Sequence, residues 1–294
     1  MSNRLEEIKS RILSISDLPT LPTVATEVMS LADDPDTSIN DLVEVIHNDP
    51  SITGKILRIA NSAFYGMRQK IDTISRALVV LGMNEVNNLV TSISVFSAFP
   101  QSSDKESFNR EKFWEHCAVT GEVSKAISNR LGLKAMGVAF TSGLLHDIGK
   151  IILDQYFHDE FMDAFSMSKA RDIPLFEAER EIFGVNHSQI GGWLGEKWRL
   201  PPNLIDAITF HHKPMRSLNH KITTSIVSLA NIFSKASDNS FSGEELKIIL
   251  TDTEAWKILE RELPAILSID IERFTFELEE YSRNAKEFLK IVTG

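Results

Sequence analysis

The sequence predicts an all-α protein, and three observations support this fold class. Apolar residues recur at spacings of three and four along the chain, as they do on the buried face of a helix. No segment shows the alternation of apolar and polar residues that is typical of a half-buried strand. Glycine or proline closes several of the periodic segments, as at helix ends. We therefore expect a multi-helical fold without a β-sheet.

The first predicted elements are a helix and an extended strap. Residues 3–15 carry apolar residues on one side and form an amphipathic helix. Segment 17–23 cannot be helical throughout, because Pro19 and Pro22 push the residues before them into extended conformations. We interpret this segment as a strap that leads into a helix near residues 24–31.

Capping residues and helix breakers delimit four further helices. Serine and threonine cap helix N-termini, proline is tolerated in a first turn, and glycine or proline ends a helix. By these signals the helices begin at Thr37 or Ser38, Pro50, Thr73 and Asn84, and the last two end at Gly82 and Pro100. The polar segment 101–110 reads as a loop and marks a subdomain boundary.

The second half is predicted to be helical as well. A long helix at 111–131, closed by Gly132, precedes a buried helix at 140–154. Further helices are predicted at 159–171, 175–183, 188–197, 202–212, which Pro214 stops, and 221–237, followed by two closing helices, the last at 271–292. We therefore divide the chain into an N-terminal helical subdomain at 1–108, a helical core at 109–240 and C-terminal helices at 241–294.

Composition narrows the possible functions. The chain has 294 residues, of which 43% are hydrophobic and 24% charged, as in soluble globular proteins. The net charge of −10 argues against binding to a DNA or RNA backbone, which requires a concentrated basic surface. No apolar run is long enough to span a bilayer, and acidic residues near the start exclude a secretory signal. The single cysteine, Cys117, excludes an internal disulfide and suits a reducing cytoplasm. We expect a cytoplasmic protein with no membrane partner.

The buried helix at 140–154, FTSGLLHDIGKIILD, carries charged residues that need an explanation. Its apolar residues recur at helical spacing, yet His146, Asp147 and Lys150 stand among them. Desolvating an unpaired carboxylate is costly, so such a group normally has a partner or a metal ion. Gly143 and Gly149 each cost roughly 1 kcal/mol against alanine in a helix, which close packing or room for a ligand would offset. A core helix with a hydrogen-bonded His–Asp pair remains the alternative interpretation.

Two blocks of sequence resemble known families. The run LLHDIGK resembles the signature of the HD superfamily of metal-dependent phosphohydrolases. The runs LPTLPTVATEVM, VIHNDPSITGKILRIANSAFYG and IDTISRALVVLGMNEVNNLV resemble the HDOD family, the HD-related output domains of bacterial signalling proteins. This resemblance continues to about Pro214. It implies an HD-like helical core against which the N-terminal subdomain packs.

The resemblance also implies a metal site. Five of the 8 histidines, together with Asp147, fall where HD-type proteins place metal ligands: His116, His146, His187, His211 and His212. Neutral imidazoles and a carboxylate suit a divalent transition metal such as Fe, Mn, Zn or Ni. The adjacent pairs fit two ions about 3.5–4 Å apart better than a single ion. The alternatives are a satisfied core histidine at His116 and a favourable helix-end charge at the paired histidines. The other three, His47, His158 and His220, are predicted to be solvated.

Two departures from the superfamily weaken the case for catalysis. Enzymatic HD proteins resemble one another in a final aspartate on a late apolar helix, and the matching stretch here, IVSLANIF, has Asn231 at that position. Asparagine offers only a neutral carbonyl oxygen as a ligand. In addition, the region after the paired histidines, HHKPMRSLNH, lacks the Gly-Tyr-Pro element of cyclic-di-GMP phosphodiesterases of the superfamily.

The sequence thus supports three hypotheses on function. The first is a bacterial signal-transduction module that acts through contacts with other signalling proteins and has a largely retained metal site. The second is an active metal-dependent phosphohydrolase on a nucleotide or cyclic dinucleotide, in which Asp147 serves the metal and Lys150 holds a phosphate oxygen. The third is a sensor that binds a nucleotide without cleaving it.

Overall fold

The computed structural model describes residues 2–32, 34–99, 108–134, 136–236 and 249–294, and within these ranges it is helical without a strand. The predicted fold class is confirmed. The predicted subdomain boundaries stay predictions, because segments 100–107 and 237–248 lie outside the described residues.

Six helices lie within the described residues of the N-terminal part, 2–32 and 34–99. They are α1 (Ser2–Leu13), α2 (Thr23–Ala32), α3 (Ile39–His47), α4 (Pro50–Ala60), α5 (Ile74–Leu81) and α6 (Met83–Ala98). The caps follow the sequence: the Ser38 and Thr73 side chains accept hydrogen bonds from the first turns of α3 and α5, and Asp49 does so for α4.

The remaining part contains eleven α-helices within the described residues. They are α7 (Arg110–Arg130), α8 (Met136–Leu145), α9 (Gly149–Tyr156), α10 (His158–Arg171), α11 (Leu175–Phe183), α12 (His187–Lys197), α13 (Pro202–Phe210), α14 (Lys221–Ala236), α15 (Glu254–Glu262), α16 (Ile271–Phe276) and α17 (Leu278–Thr293). Short 3₁₀ helices lie at Pro214–Arg216, Leu250–Asp252 and Pro264–Ser268.

Two predicted helices are interrupted. The predicted helix at 140–154 is two helices, α8 and α9, joined by a tight turn at residues 146–148. Backbone hydrogen bonds there span three residues, from Ile148 N to Leu145 O and from Lys150 N to Asp147 O. The predicted helix at 271–292 is likewise α16 and α17, with a break at Glu277. Both flanking helices keep apolar residues on the buried side, so the sequence periodicity runs across the break and does not reveal it.

The helix predicted to start at Pro50 is α4, which ends at Ala60. Asn61 caps α4 at its C-terminus. Its side-chain amide donates to the carbonyls of Leu57 and Ile71 and accepts from the Ile71 backbone N–H. These three bonds close the loop between α4 and α5.

Helix α6 joins the N-terminal part to the rest of the molecule. Its residues from Val86 to Phe96 are all buried. It packs against α2, α4 and α5 on one side and against α8 on the other. The N-terminal helices therefore share a continuous apolar core with the second half.

Helices α7 and α8 form a closely packed pair at the centre. A Cβ atom on Gly143 would lie 2.7 Å from the Thr120 carbonyl oxygen, and one on Gly121 would lie 2.9 Å from that of Phe140. Only glycine permits this approach of the two backbones. The close packing predicted for Gly143 is thus present.

Three aromatic rings meet where the N-terminal part, the central helices and α17 join. The ring centroid of Phe64 lies 4.8 Å from that of Phe140 and 6.1 Å from that of Phe288. The rings of Phe140 and Phe288 are 4.9 Å apart. The C-terminal helix is therefore part of the packed core. We call this group the Phe64 junction.

One stretch of the described chain, Met136–Tyr156, is long and apolar enough to cross a bilayer by length and composition. This differs from the expectation that no run would qualify. The most apolar window of this stretch is 89% buried inside the protein, as in a central helix of a packed core.

Candidate metal centre

The turn between α8 and α9 places His146 and Asp147 side by side at the centre of the molecule. Both residues have no exposed surface. A Cβ atom on Gly149 would lie 2.0 Å from the His187 carbonyl oxygen, so glycine at this position brings α9 against the start of α12. This contact positions His187 next to Asp147.

The carboxylate of Asp147 is shared by four imidazoles. Its Oδ1 lies 3.0 Å from His187 Nε2 and 3.5 Å from His211 Nε2. Its Oδ2 lies 3.3 Å from His146 Nε2 and 3.7 Å from His116 Nε2. Each oxygen thus faces a different pair of histidines.

All six predicted ligand residues converge. They form two groups in which the ligand atoms lie within 4.8 Å of one another, and Asp147 belongs to both: His116, His146 and Asp147 in one group, and Asp147, His187, His211 and His212 in the other. Both members of each adjacent pair lie in the same group, because each pair stands at a helix end, where successive side chains need not diverge as they do within a helix. That the centre suits two ions better than one stays a prediction.

A second contact orients each of four histidines. The Nδ1 atoms of His146 and His211 lie 2.7 and 2.9 Å from the carbonyl oxygens of Gly143 and Ile208. That of His187 lies 2.7 Å from Glu179 Oε2, and that of His116 lies 3.1 Å from Ser234 Oγ. Because carbonyl and carboxylate oxygens accept a hydrogen bond from Nδ1–H, the neutral rings of His146, His187 and His211 keep the Nε2 lone pair toward the centre. Metal-binding histidines have this arrangement.

The unpaired atoms of the centre fit a cation. His116, His146 and His211 each have an Nε2 atom that is buried and makes no hydrogen bond within the described part of the chain. The Nε2 atoms of His187 and His212 lie 2.9 Å apart, a distance at which one ring donates an N–H to the other or both rings bind the same ion. Imidazole nitrogens with one carboxylate form a donor set for a transition metal. The residues therefore fit a divalent transition metal.

Burial favours the neutral imidazole at three of the five histidines, and the surrounding charges favour an ionised carboxylate at Asp147. Burial lowers the pKa of His211 to about 3, and burial also holds the pKa values of His116 and His212 well below normal. Burial would raise the pKa of Asp147, but His146, Lys150 and His187 outweigh it and hold that pKa well below normal. Burial would lower the pKa of His187, but Glu179 and Asp147 outweigh it and raise that pKa. His187 would hold a metal ion as a neutral ring, so the raised pKa means that a proton would compete with the ion at this residue.

Lys150 lies inside the centre. Its ammonium group is 2.6 Å from Asp147 Oδ2, and its side chain is 3% exposed. In this arrangement Lys150 pairs with the carboxylate and does not point to the surface. A role for Lys150 in holding a phosphate oxygen stays a prediction.

Asn231 lies on the side of α14 that faces the centre. Ser234 of this helix contacts His116, and the charge of Lys235 helps to lower the pKa values of His116 and His212. Asn231 lies one turn before these residues and so shares their face. Its side chain is buried, and its Oδ1 has no hydrogen-bond partner in the described ranges.

Five of the six ligand residues are closed off from solvent. His116, His146, Asp147, His187 and His211 are at most 1% exposed. His212 is half-buried, and its outer side lines a cleft between α11, α12 and α13. Of the six ligand-type residues, His212 is thus the one that connects the centre with the protein surface.

Glu179 and Ser234 were not predicted from the sequence. Glu179 is fully buried and accepts hydrogen bonds from both the backbone N–H and the ring of His187. A signal was present, because Glu179 shares the apolar face of α11 with Leu175 and Ala178. No comparable signal marks Ser234, since serine is common on helix surfaces.

The remaining histidines lie outside the centre. His47 is exposed, as predicted, and His220 is half-buried. His158 differs from the prediction: its ring is half-buried and donates from Nδ1 to Asp154 Oδ1 at 2.8 Å, and Asp154 also pairs with Arg110.

Comparison with known proteins found a matching family and a matching curated relative. The profile of the HDOD domain family matches residues 18–214. An uncharacterised protein of Treponema pallidum is 27% identical over 234 residues, which cover 79% of this chain and 45% of the relative. The chain thus spans less than half the length of the curated relative that it matches.

Solved structures share the fold. An HDOD domain protein of unknown function from Geobacter sulfurreducens has a TM-score of 0.75 at 21% identity, over 95% of this chain and 98% of that one. A proposed phosphohydrolase from Shewanella amazonensis has a TM-score of 0.70 at 23% identity, over 98% and 97%. A proposed signal transduction protein from Marinobacter aquaeolei has a TM-score of 0.71 at 21% identity, over 99% of this chain and 65% of that one.

Proposed function

This chain belongs to the HDOD family, and we propose that it is a regulatory module of a bacterial signalling system that retains an HD-type metal centre. In this proposal the module acts through contacts with other signalling proteins in the cytoplasm. It needs neither a nucleic-acid backbone nor a membrane as a partner.

The closure of the centre carries this proposal. Structural metal sites are enclosed by protein ligands, whereas catalytic sites keep a position open to water and substrate. Here the carboxylate and four of the five imidazoles are at most 1% exposed, and the Asp147 carboxylate is also paired with Lys150. Asn231 supplies no charge at the position that the resemblance matches to the final aspartate of enzymatic HD proteins. A metal held by His116, His146, Asp147, His187, His211 and His212 would therefore serve mainly to fix α7, α9, α12 and α13 relative to one another.

A metal-dependent phosphohydrolase is the second candidate function. It is favoured by the Asp147 carboxylate, which faces one histidine pair with each oxygen and would suit a two-metal site. When bound, such ions supply Lewis-acid activation of water and of a phosphoryl group. The chain itself would contribute the neutral imidazoles, the orienting contacts at Nδ1 and the entry at His212.

Metal analysis followed by a turnover screen separates the two functions. We expect purified protein to contain a transition metal whose removal by a chelator lowers the thermal unfolding temperature. We expect negligible hydrolysis of cyclic-di-GMP and of other nucleotide phosphoesters. Robust turnover that depends on the metal and is lost in Asp147→Asn would reject the regulatory proposal in favour of the hydrolase. Protein without metal, or with unfolding unaffected by chelation, would reject a stabilising centre.

A further inference from the structure

A cleft beside the metal centre is lined by cationic and aromatic side chains. It has a volume of about 170 Å³ and lies between α11, α12, α13 and the 3₁₀ helix at Pro214–Arg216. His212 lines it on the inner side. We call it the His212 cleft and define it by Phe176, Arg180, Trp193, Phe210, His212, Lys213 and Arg216.

Three cationic side chains line the His212 cleft. Arg180, Lys213 and Arg216 are exposed, and none of them forms an ion pair or a hydrogen bond with the residues that the structure describes. They come from three different elements, α11, the segment after α13 and the 3₁₀ helix. The acidic side chain lining the cleft, Glu196, is paired with Lys9 at 2.9 Å. In a chain with a net charge of −10, this gathering of unpaired cations attracts an anion.

The same cleft presents aromatic rings. Phe176 stacks on His212 with ring centroids 4.2 Å apart and an interplanar angle of 26°. Phe210 is half-buried and has no ring partner within the described ranges, and Trp193 also lines the cleft. Aromatic faces of this kind bind planar rings by stacking, which contributes about 1–3 kcal/mol per nucleic-acid base.

We propose that the His212 cleft binds a nucleoside phosphate. Arginine side chains match the geometry of phosphate oxygens, and the aromatic rings match a base. The volume is below the roughly 300–1,000 Å³ of pockets that enclose a whole drug-sized ligand. The cleft therefore holds the phosphate and part of the nucleoside, and the rest of the ligand lies in solvent. This inference rests on the proposed function in one respect, namely that the ligand is the signal of a regulatory module.

The position of His212 connects the ligand to the metal centre. His212 lines the cleft, and its Nε2 atom lies 2.9 Å from that of His187. Phe176, which stacks on His212, belongs to α11, and the same helix carries Glu179, which orients His187. A ligand that moves Phe176 or His212 thus acts directly on two residues of the centre.

Calorimetric titration of the full chain tests the proposal. The probes are AMP and GMP, with adenosine, inorganic phosphate and phosphotyrosine as comparisons at one salt concentration. We expect saturable binding of a nucleotide that is at least about tenfold tighter than that of adenosine or phosphate, because both halves of the ligand are recognised. We expect Arg180→Glu and Arg216→Glu each to weaken it about tenfold or more, the effect of losing a charged hydrogen bond. Arg68→Glu, at an exposed arginine outside the cleft, is the matched control and should leave binding unchanged.

Each other outcome overturns the nucleotide assignment. The assignment is wrong if no saturable binding is found, if phosphate binds as tightly as the nucleotide, or if phosphotyrosine binds more tightly. It is also wrong if Arg68→Glu weakens binding as much as the cleft variants do. Circular dichroism and metal content of every variant are measured on the same preparations. Nucleotide binding by protein without metal would reject the stabilising centre and leave the cleft assignment intact. A protein that contains metal and has no hydrolytic activity, but binds no nucleotide, would reject the cleft assignment and leave the stabilising centre intact.

Discussion

Glu179 is a buried carboxylate that accepts two hydrogen bonds from His187, one from the ring and one from the backbone. Its position fixes the tautomer of His187 and the direction of Nε2. Carboxylates in this role raise the basicity of the ligand as well as orient it.

We expect Glu179→Gln to weaken metal binding by about 10–100-fold, the usual effect of removing such a partner. Glutamine keeps the size and one acceptor oxygen but removes the charge beside Nδ1. The measurement is a competition titration with a chromophoric chelator at fixed pH. Glu177→Gln, at an exposed position of the same helix, is the control and should bind like the wild type. Equal affinities of the Glu179→Gln variant and the control would show that the charge of Glu179 does not act on the centre.

Asn231 offers the opposite test, because a charge can be added there. Its Oδ1 is buried without a hydrogen-bond partner in the described ranges, on the face of α14 that contacts His116. We expect Asn231→Asp to bind a divalent metal at least about tenfold more tightly than the wild type, since an anionic oxygen replaces a neutral one. Both proteins are titrated at one pH, because ligand protonation is coupled to affinity. Asn231→Ala is the control and should not gain affinity. Equal or weaker binding by Asn231→Asp would place Asn231 outside the centre.

At the scale of single residues, the sequence reveals candidate site residues as polar or charged groups within apolar segments. His146 and Asp147 are recognisable because charged groups are rare among buried apolar residues. Whether they share one centre with His187 and His211 depends on how distant helices pack together. The periodicity of apolar residues within one helix gives no information about that packing. Glu179 has a similar local signal, but its partner His187 lies beyond the end of its own helix.

The break between α8 and α9 is the element that creates the centre. It turns the chain so that His146 and Asp147 point to a common place, and it leaves Gly149 in backbone contact with α12. Periodicity predicts the two helices correctly as buried elements. It misses the turn because a three-residue hydrogen-bond pattern changes the direction of the chain without changing which residues are apolar.

We expect Gly149→Ala to destabilise the protein by about 1–3 kcal/mol, the usual cost of overpacking a core. The added Cβ would meet the His187 carbonyl oxygen at 2.0 Å, and a backbone atom cannot move aside as a side chain can. Because α9 and α12 are pushed apart, the variant should also lose metal affinity. Denaturant unfolding and metal titration measure the two effects.

Gly54→Ala is the matched control for that substitution. Gly54 lies within α4, and a Cβ atom there would meet nothing within 4 Å. Alanine should therefore stabilise the protein by up to about 1 kcal/mol through its helix propensity. If both variants unfold like the wild type, the close contact at Gly149 does not exist in solution.

At the scale of the whole molecule, a buried polar cluster lies next to the Phe64 junction. Lys125 donates to the Phe64 carbonyl oxygen at 2.6 Å and lies 3.9 Å from Glu122 Oε1. Burial raises the pKa of Glu122 to about 7, although the charge of Lys125 and a hydrogen bond from Asn284 of α17 lower it. The pKa of the neighbouring Tyr65 is raised mainly by burial and by Glu85, and to a smaller extent by the charge of Glu122. The three parts of the fold thus meet around one carboxyl group that titrates near neutral pH.

We expect the stability of the protein to depend on pH through Glu122. Its pKa rises from 4.5 in the unfolded chain to about 7 in the folded one, so folding favours the protonated form. The contribution is fully present below pH 4.5 and is lost as the pH rises through about 7, to a total of about 3 kcal/mol. Glutamine resembles the protonated acid, so the stability advantage of Glu122→Gln over the wild type should grow by up to that amount between pH 5 and pH 8.

Denaturant unfolding at several pH values measures this difference. Glu27→Gln, at an exposed glutamate of α2, is the control and should run parallel to the wild type. A difference between Glu122→Gln and the wild type that stays constant from pH 5 to pH 8 would mean that Glu122 is ionised throughout this range in the folded protein.

The shared Asp147 carboxylate has a consequence for how the centre fills. Two buried carboxylates, Asp147 and Glu179, and one ammonium group, Lys150, provide a single net negative charge around the five imidazoles. One divalent ion already reverses that charge. A second would enter a positive site, and both would draw on the same two oxygen atoms. We therefore expect the two halves to be anticooperative: the first ion should bind tightly and the second weakly, and a stoichiometric titration should end near one ion per chain unless Asn231 is replaced by an acid.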